Sequence, residues 1–436
     1  MRIKSGVRLN ISTHIRSVYE IPDHPEGMRK MKILIVNKFL YPRGGSESYM
    51  LGIGEYLASH GHTVRYFGMQ DEKNTVGNDP GLYTQNMDFH GKSLSRFLYP
   101  FKIIYSLEAK RKIGRVIDEM RPDIVHLNNI NFQLTPSIID AAKERNVPVV
   151  WTLHDYQLVC PGHLLYNSDR GCVCDKCVGA GKWNCVKDKC IHSSAVKSLL
   201  GVIEAAFYKA RGTYKKVDRF IAPSRFLYSK LVADNKDLFE GRTTVIHNYV
   251  AKKTLPDGAR SNFDFPYIAF AGRLSEEKGT RILRDAAGLL PDVQFVVMGS
   301  GPDEGLLSGI DNIHLTGFVT GAELDTNIAF ASAVAVPSVC YENCPMAILE
   351  AQMLSVPCVT MNMGGMAELV EDGRTGVLAQ STDAESFAAA VRDILSDKER
   401  HEKMRQNCAE SAKQFLTLDG YCEELLKLCG EVIGNG

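Results

Sequence analysis

The chain shows no excess of either charge. Its 51 Lys and Arg offset 51 Asp and Glu over 436 residues, so no basic face for bulk nucleic-acid binding is expected. No run of 18 apolar residues occurs, and without one a transmembrane helix is not expected. The first thirty residues are mixed polar and basic, with Pro22 and Pro25, and lack the pattern of an export signal. They read as a flexible extension ahead of a more natural start near Met28. The expectation is a cytoplasmic protein, in which twelve cysteines serve as thiols or metal ligands rather than disulfides. The length suits two or three domains, each with its own core.

What the chain does have is a repeated order of apolar runs and helices. KILIVNKF (32–39) is a continuous apolar run of the kind buried on both faces of a parallel sheet. A Gly-rich turn with Gly44 and Gly45, an amphipathic helix and a second strand follow, which makes a β-α-β unit. Residues 90–120 read as helical, aromatic and basic. DIVHLNN (123–129) and VPVVWTLHD (147–155) are further buried strands separated by a helix over 136–145, and both end in polar residues, His154 among them. More strands end at Ser224 and near His247-Asn248. The polar stretch 251–264 reads as a linker, after which the pattern restarts: PYIAFAGR, VQFVVMGSGPD, NIHLTGFV, AVAVPS and PCVTMN. The expected boundaries are an extension over 1–30, a first domain over 31–250, the linker, a second domain over 265–403, and a helical segment over 404–432 that crosses back to the first domain.

The most informative stretch is PSVCYENCPMAILEA (337–351), which reads as a loop carrying Glu342 and then a helix with Pro345 in its first turn. Glu350 then lies about 7 Å along that helix at ~1.5 Å per residue. Free N–H groups around Cys344, Pro345 and Met346 suit a phosphate or sugar oxygens, and a carboxylate further along suits a ribose diol. GRLSEEKG (272–279) begins at a strand end and offers Arg273 and Lys278, a pair suited to a diphosphate. GSGP, from Gly299, is a glycine turn after another buried strand. Each of these elements is expected at the carboxyl end of a parallel strand, where such sheets bind ligands.

Two stretches stand outside that pattern. Residues 160–190 hold six cysteines and little apolar periodicity, so a structural zinc on Cys160, Cys174, Cys177 and Cys190 is an expectation, against six free thiols in a loop. A redox role is disfavoured, since no helix follows Cys174-x-x-Cys177. The helix over 194–216 has a basic polar side and suits either ordinary packing or an anionic membrane surface.

Taken in order, PRGGSES, DIVHLNN, TLHDY, APSRF, VIHNYV, AGRLSEEKG, MGSGP, TGFV and YENCPMAILEA resemble the family 4 glycosyltransferases over about 31–432. The Cys-rich insert resembles that of members associated with capsule, exopolysaccharide or O-antigen assembly. The resemblance implies an α/β GT-B fold, two Rossmann-like doubly wound domains facing across a cleft. It also implies a retaining, hexosyltransferase-type transfer from a nucleotide-sugar donor to a glycan or lipid-linked acceptor. Gly45 would then offer its N–H to the donor diphosphate, with Gly272 and Gly299 in the turns beneath. Arg273 and Lys278 would stabilise the leaving diphosphate, Glu350 the ribose, and Glu342 with the amides at Cys344–Met346 the transferred sugar. His154 would contact that sugar from the opposite lobe, and Gly317-Phe318 would lie near the base. Many members have glycine where this chain has Pro345, so one N–H is missing there. No catalytic metal is expected, because two cations take its place and no D-x-D pair lies near this site. Peripheral contact with the cytoplasmic membrane face stays open beside ordinary packing of the basic helices, and nucleic acid is not expected. A nucleotide-sugar epimerase and a non-catalytic carbohydrate-binding protein stay open as alternatives.

Overall fold

The computed structural model describes residues 29–77, 81–84, 104–167 and 169–434. The expectations for 1–28 and for the basic aromatic stretch over 85–103 lie outside the described residues.

Fourteen strands form two six-stranded parallel sheets and one small ribbon. The first sheet contains β1 (Lys32–Val36), β2 (Thr63–Phe67), β3 (Ile124–Leu127) and β4 (Val149–Thr152). The ribbon pairs β5 (Tyr166–Asn167) with β6 (Cys172–Val173), and the first sheet resumes with β7 (Arg219–Ala222) and β8 (Thr243–Val245). The second sheet is built from β9 (Tyr267–Ala271), β10 (Gln294–Met298), β11 (Ile313–Gly317), β12 (Ala333–Val336), β13 (Cys358–Met361) and β14 (Gly376–Ala379). Central strands such as β3, β4, β12 and β13 are buried along their whole length. Helices cover both faces, which explains the unbroken apolar runs.

The strand orders decide where a ligand goes. The first sheet runs β2-β1-β3-β4-β7-β8 and the second β11-β10-β9-β12-β13-β14. In the first the order reverses between β1 and β3, and in the second between β9 and β12. At such a reversal the connections leave on opposite faces and open a crevice at the carboxyl ends. The loops after β1, β3, β9 and β12 are therefore the ones that meet a ligand.

Each sheet has its own core, and the C-terminus ties them together. Met404, on the helix Lys398–Ala412, packs in the second core. Tyr421, Leu425 and Cys429, on the helix Leu418–Gly434, pack in the first. The chain thus returns to the first lobe after residue 412, later than the 404 boundary read from sequence.

The helix expected over 194–216 stops at Ala210. Gly212 turns the chain at φ 61, and a 3-10 turn covers Thr213–Lys216. Among the described residues, no helix is long and apolar enough to cross a membrane.

Candidate active site

At the second lobe's reversal point, the ends of β9, β10 and β11 are joined through their backbones. Gly272 donates to the Met298 carbonyl at 3.0 Å, and Gly299 to that of Gly317 at 2.7 Å. A methyl group at Gly299, whose φ is 154, would come within 1.8 Å of the Gly272 carbonyl oxygen. Only glycine lets these two turns touch. This joint holds Arg273 at the rim, exposed and without an ion-pair partner among the described residues.

Lys278 leaves the same loop and meets the loop after β12. Its Nζ lies 2.6 Å from Glu342 Oε1, which also accepts from Ser338 Oγ at 2.8 Å. Burial disfavours the ammonium, but Glu342 outweighs it and raises the Lys278 pKa, so the cation persists. Glu342 is fixed in turn by the loop after β13. Gly365 donates to the Glu342 carbonyl at 2.7 Å, and a Cβ on Gly365 would strike the Asn343 carbonyl oxygen at 1.6 Å.

The helix expected after Glu342 spans Met346–Met353. Pro345 is not in its first turn: it is the N-cap, extended at ψ 119, with its carbonyl accepting from Ile348. The pyrrolidine ring fixes φ and so sets the entry to the helix, while its missing N–H falls just outside the helical turn. Cys344 is buried, and burial raises its thiol pKa to about 12, so it packs as a neutral side chain. Glu350 sits one turn further along, half-buried, and its Oε1 lies 3.5 Å from Lys253 Nζ. Lys253 also bonds Asp325 at 2.7 Å. Neither Lys253 nor Asp325 stood out in the sequence, since one lies in a polar linker and the other on an ordinary amphipathic helix.

From the first lobe, Gly45 opens the helix Gly45–Ser59 directly opposite. A Cβ on Gly45 would lie 3.6 Å from Met346 Cγ, so the N-terminal ends of the two helices face each other across the cleft. His154 follows β4 and stands edge-on to Tyr49, with ring centroids 4.9 Å apart. Its Nε2 lies 3.0 Å from Asn128 Oδ1, and its carbonyl accepts from Asn343 Nδ2 at 2.9 Å. Burial, with His126 close by, lowers the His154 pKa to about 3, so the ring is neutral and suited to hydrogen bonding rather than to carrying charge. Three buried amide atoms along this seam lack hydrogen-bond partners: Asn128 Nδ2, Asn248 Oδ1 and Asn343 Oδ1. On the far side Phe318, after Gly317, is 79% exposed and free to offer its ring.

The lobes also meet beside this seam. Glu368, on the short helix Met366–Leu369 that follows β13, accepts from the backbone N–H groups of Arg225 and Phe226 in the first lobe. His247 Nε2 lies 3.3 Å from the same carboxylate.

The cysteine segment differs from its expectation. Among the described residues, no three His, Cys, Asp or Glu side chains are placed to hold a metal ion. All six thiols are free, and the set Cys160, Cys174, Cys177 and Cys190 is not gathered around one point. Cys174 follows the β5–β6 ribbon and acts on Tyr341 of the second lobe, whereas Cys160, Cys177, Cys185 and Cys190 act on one another. Charged side chains staple the segment: Asp188 holds Arg170 and Lys176 at 2.9 and 2.7 Å, and Lys182 pairs with Asp234.

Residues 43–252 match the family model described as Glycosyltransferase Family 4, and 265–397 that described as Glycosyl transferases group 1, one for each lobe. The chain belongs to the family 4 glycosyltransferases. The transferase is 25% identical over 419 residues to a GDP-mannose-dependent alpha-mannosyltransferase of Corynebacterium glutamicum, covering 94% of this chain and 91% of that protein. It is 32% identical over 170 residues to an alpha-D-kanosaminyltransferase of Streptomyces kanamyceticus, covering 36% of this chain and 44% of that one. Among solved structures, HepE of Anabaena in complex with UDP superposes with a TM-score of 0.65 at 18% identity, over 92% of this chain and all of the other. Sucrose-phosphate synthase of Thermosynechococcus elongatus gives 0.67 at 18% identity, over 93% of this chain and 100% of that one. The fold is GT-B.

Proposed function

We propose that this glycosyltransferase moves a hexosyl unit from a nucleoside diphosphate sugar to a glycan or lipid-linked glycan, with retention of configuration, in cell-surface polysaccharide synthesis at the cytoplasmic membrane face. The observation that carries the donor assignment is the set of groups brought to the two reversal points. Exposed Arg273 and anchored Lys278 share the second lobe with the helix N-terminus at Met346, which meets that at Gly45 across the cleft. The relatives support a nucleotide-sugar donor without fixing the base, since one is named for GDP-mannose and the HepE crystal contained UDP.

Breaking the bond from the anomeric carbon to the donor phosphate leaves negative charge on the diphosphate and positive charge on the sugar ring. Arg273 can take two phosphate oxygens in its planar fork. Lys278 donates one N–H to Glu342 and keeps two for the phosphate. These charges are in place before reaction, which is the arrangement that lowers the barrier most effectively. Glu342, held by Lys278 and Ser338, lies beside the growing positive charge. Lobe closure through Glu368 and Asn343 excludes water and protects the donor from hydrolysis.

The test is diphosphate release from UDP-, GDP- and ADP-hexoses with short glycan acceptors, with the product anomer read by proton NMR. A product that keeps the donor's anomeric configuration supports the reading. An inverted product, or isomerised donor without transfer, would overturn it.

A further inference from the structure

The linker between the lobes enters the donor site through one side chain. Lys253 reaches out of it and is mostly buried, with Nζ 2.7 Å from Asp325 Oδ1 and 3.5 Å from Glu350 Oε1. Asp325 belongs to the helix Gly321–Ala329, directly after the loop that carries Phe318. Three charged groups from three separate segments therefore meet behind the carboxylate assigned to the donor ribose.

We infer that Lys253 is a positioning residue for the donor: it keeps Glu350 ionised and aimed at the ribose hydroxyls, and ties that contact to the interlobe linker. The inference rests on the reading of Glu350 as the ribose ligand. Two half-buried carboxylates that share one cation repel each other once that cation is removed, and partial burial makes that repulsion costlier than in water.

Among the described residues, no other cation is paired with Glu350. The helix Lys398–Ala412 packs on the same helix as Glu350, but its His401 is bonded to the Ser332 carbonyl and its Arg405 to those of Ala329 and Ala331. Glu368, on the short helix Met366–Leu369, is turned to Arg225, Phe226 and His247. Burial already raises the Glu350 pKa, Lys253 opposes the rise, and Asp325 adds to it. With Lys253 gone, both remaining influences act upward, and Glu350 becomes protonated at a higher pH. A protonated carboxyl accepts fewer hydroxyl hydrogens, so donor affinity falls as pH falls.

The experiment measures dissociation constants for UDP, GDP and ADP, each alone, between pH 5.5 and 9 on the full chain. The variants are Lys253→Met, Lys253→Arg, Asp325→Asn and Glu350→Gln. For the nucleotide that binds the wild type, Lys253→Met is expected to bind about tenfold or more weakly at pH 6 and to recover toward pH 9, in line with a raised carboxyl pKa. Lys253→Arg should stay near wild type, and Asp325→Asn should move the profile the opposite way, to lower pH. That second variant keeps the test alive if Lys253→Met does not fold. A Lys253→Met profile parallel to wild type, or an Asp325→Asn profile that does not move, overturns the inference while leaving the ribose contact intact. Glu350→Gln should weaken binding at every pH. If it binds like wild type, the ribose assignment itself fails and the inference falls with it.

Discussion

Arg273 and Lys278 differ in how they are held, and the difference sets what each substitution does. Arg273 makes no ion pair among the described residues, so its loss leaves the fold untouched and removes only the phosphate contact. Arg273→Ala should lower turnover by ~100-fold or more, the range seen when one charge-stabilising donor is removed, with an unchanged melting temperature. Lys278→Ala should lower turnover similarly, but it also strips Glu342 of its cation and leaves a buried carboxylate with only Ser338. Its melting temperature should therefore fall as well, and equal melting temperatures for the two variants would contradict the anchoring role. Arg273, Lys278, Glu342 and Glu350 were legible in the sequence because each follows an apolar run that could only be a buried strand. Lys253 was not legible, since its partner Asp325 lies 72 residues away and nothing in a polar linker marks one lysine above its neighbours. The arrangement of the cysteines was not legible for a related reason: Cys174-x-x-Cys177 has the spacing of a metal knuckle, but spacing does not fix where the other thiols point. Cys185 lowers the thiol pKa of Cys190 through a hydrogen bond and has its own raised in return. Iodoacetamide at neutral pH should accordingly modify Cys190 well before Cys185, as peptide mapping would show, and the reverse order would contradict the pairing.

At the scale of elements, the site depends on loops locked backbone to backbone. The loop after β13 supports the one after β12 through Gly365, which leaves no room for a methyl group beside Asn343. Gly365→Ala should cost roughly 1–3 kcal/mol of stability, as forced overpacking does, and should weaken donor binding by displacing Glu342. A variant as stable as wild type in urea would show that the loop yields freely. The main strands and the helix after Pro345 were foreseeable from apolar period and turn residues. The strands of the β5–β6 ribbon were not, because two residues are too few to establish a period. Pro345 fell one position outside its expected place, at a helix end, where a boundary is fixed only to within a residue or two.

For the whole molecule, closure rests on few contacts across the cleft. Glu368 bridges to the start of the helix Arg225–Asp234 and to His247. Burial works against its charge, but the hydrogen bonds from His247, Arg225 and Phe226 outweigh it and hold its pKa below the ordinary range. A carboxylate depressed in this way stabilises the closed form above its unfolded pKa of about 4.3 and loses that contribution as pH falls through the lower, folded value. The latch should thus be fully present at neutral pH, and Glu368→Ala should open the lobes there, seen as a larger radius of gyration by X-ray scattering. No change in radius would place closure elsewhere. The two-lobed architecture was legible in the repeated strand order, whereas contacts between lobes leave no local pattern to read. The central claim is that the second lobe binds a nucleoside diphosphate sugar through Arg273. The most direct test is the melting temperature of wild type and Arg273→Ala against UDP-, GDP- and ADP-sugars, because a ligand of the folded state raises it in step with affinity. The account predicts a rise with one nucleotide class that disappears in the variant. An equal rise in both proteins, or none in either, would contradict it.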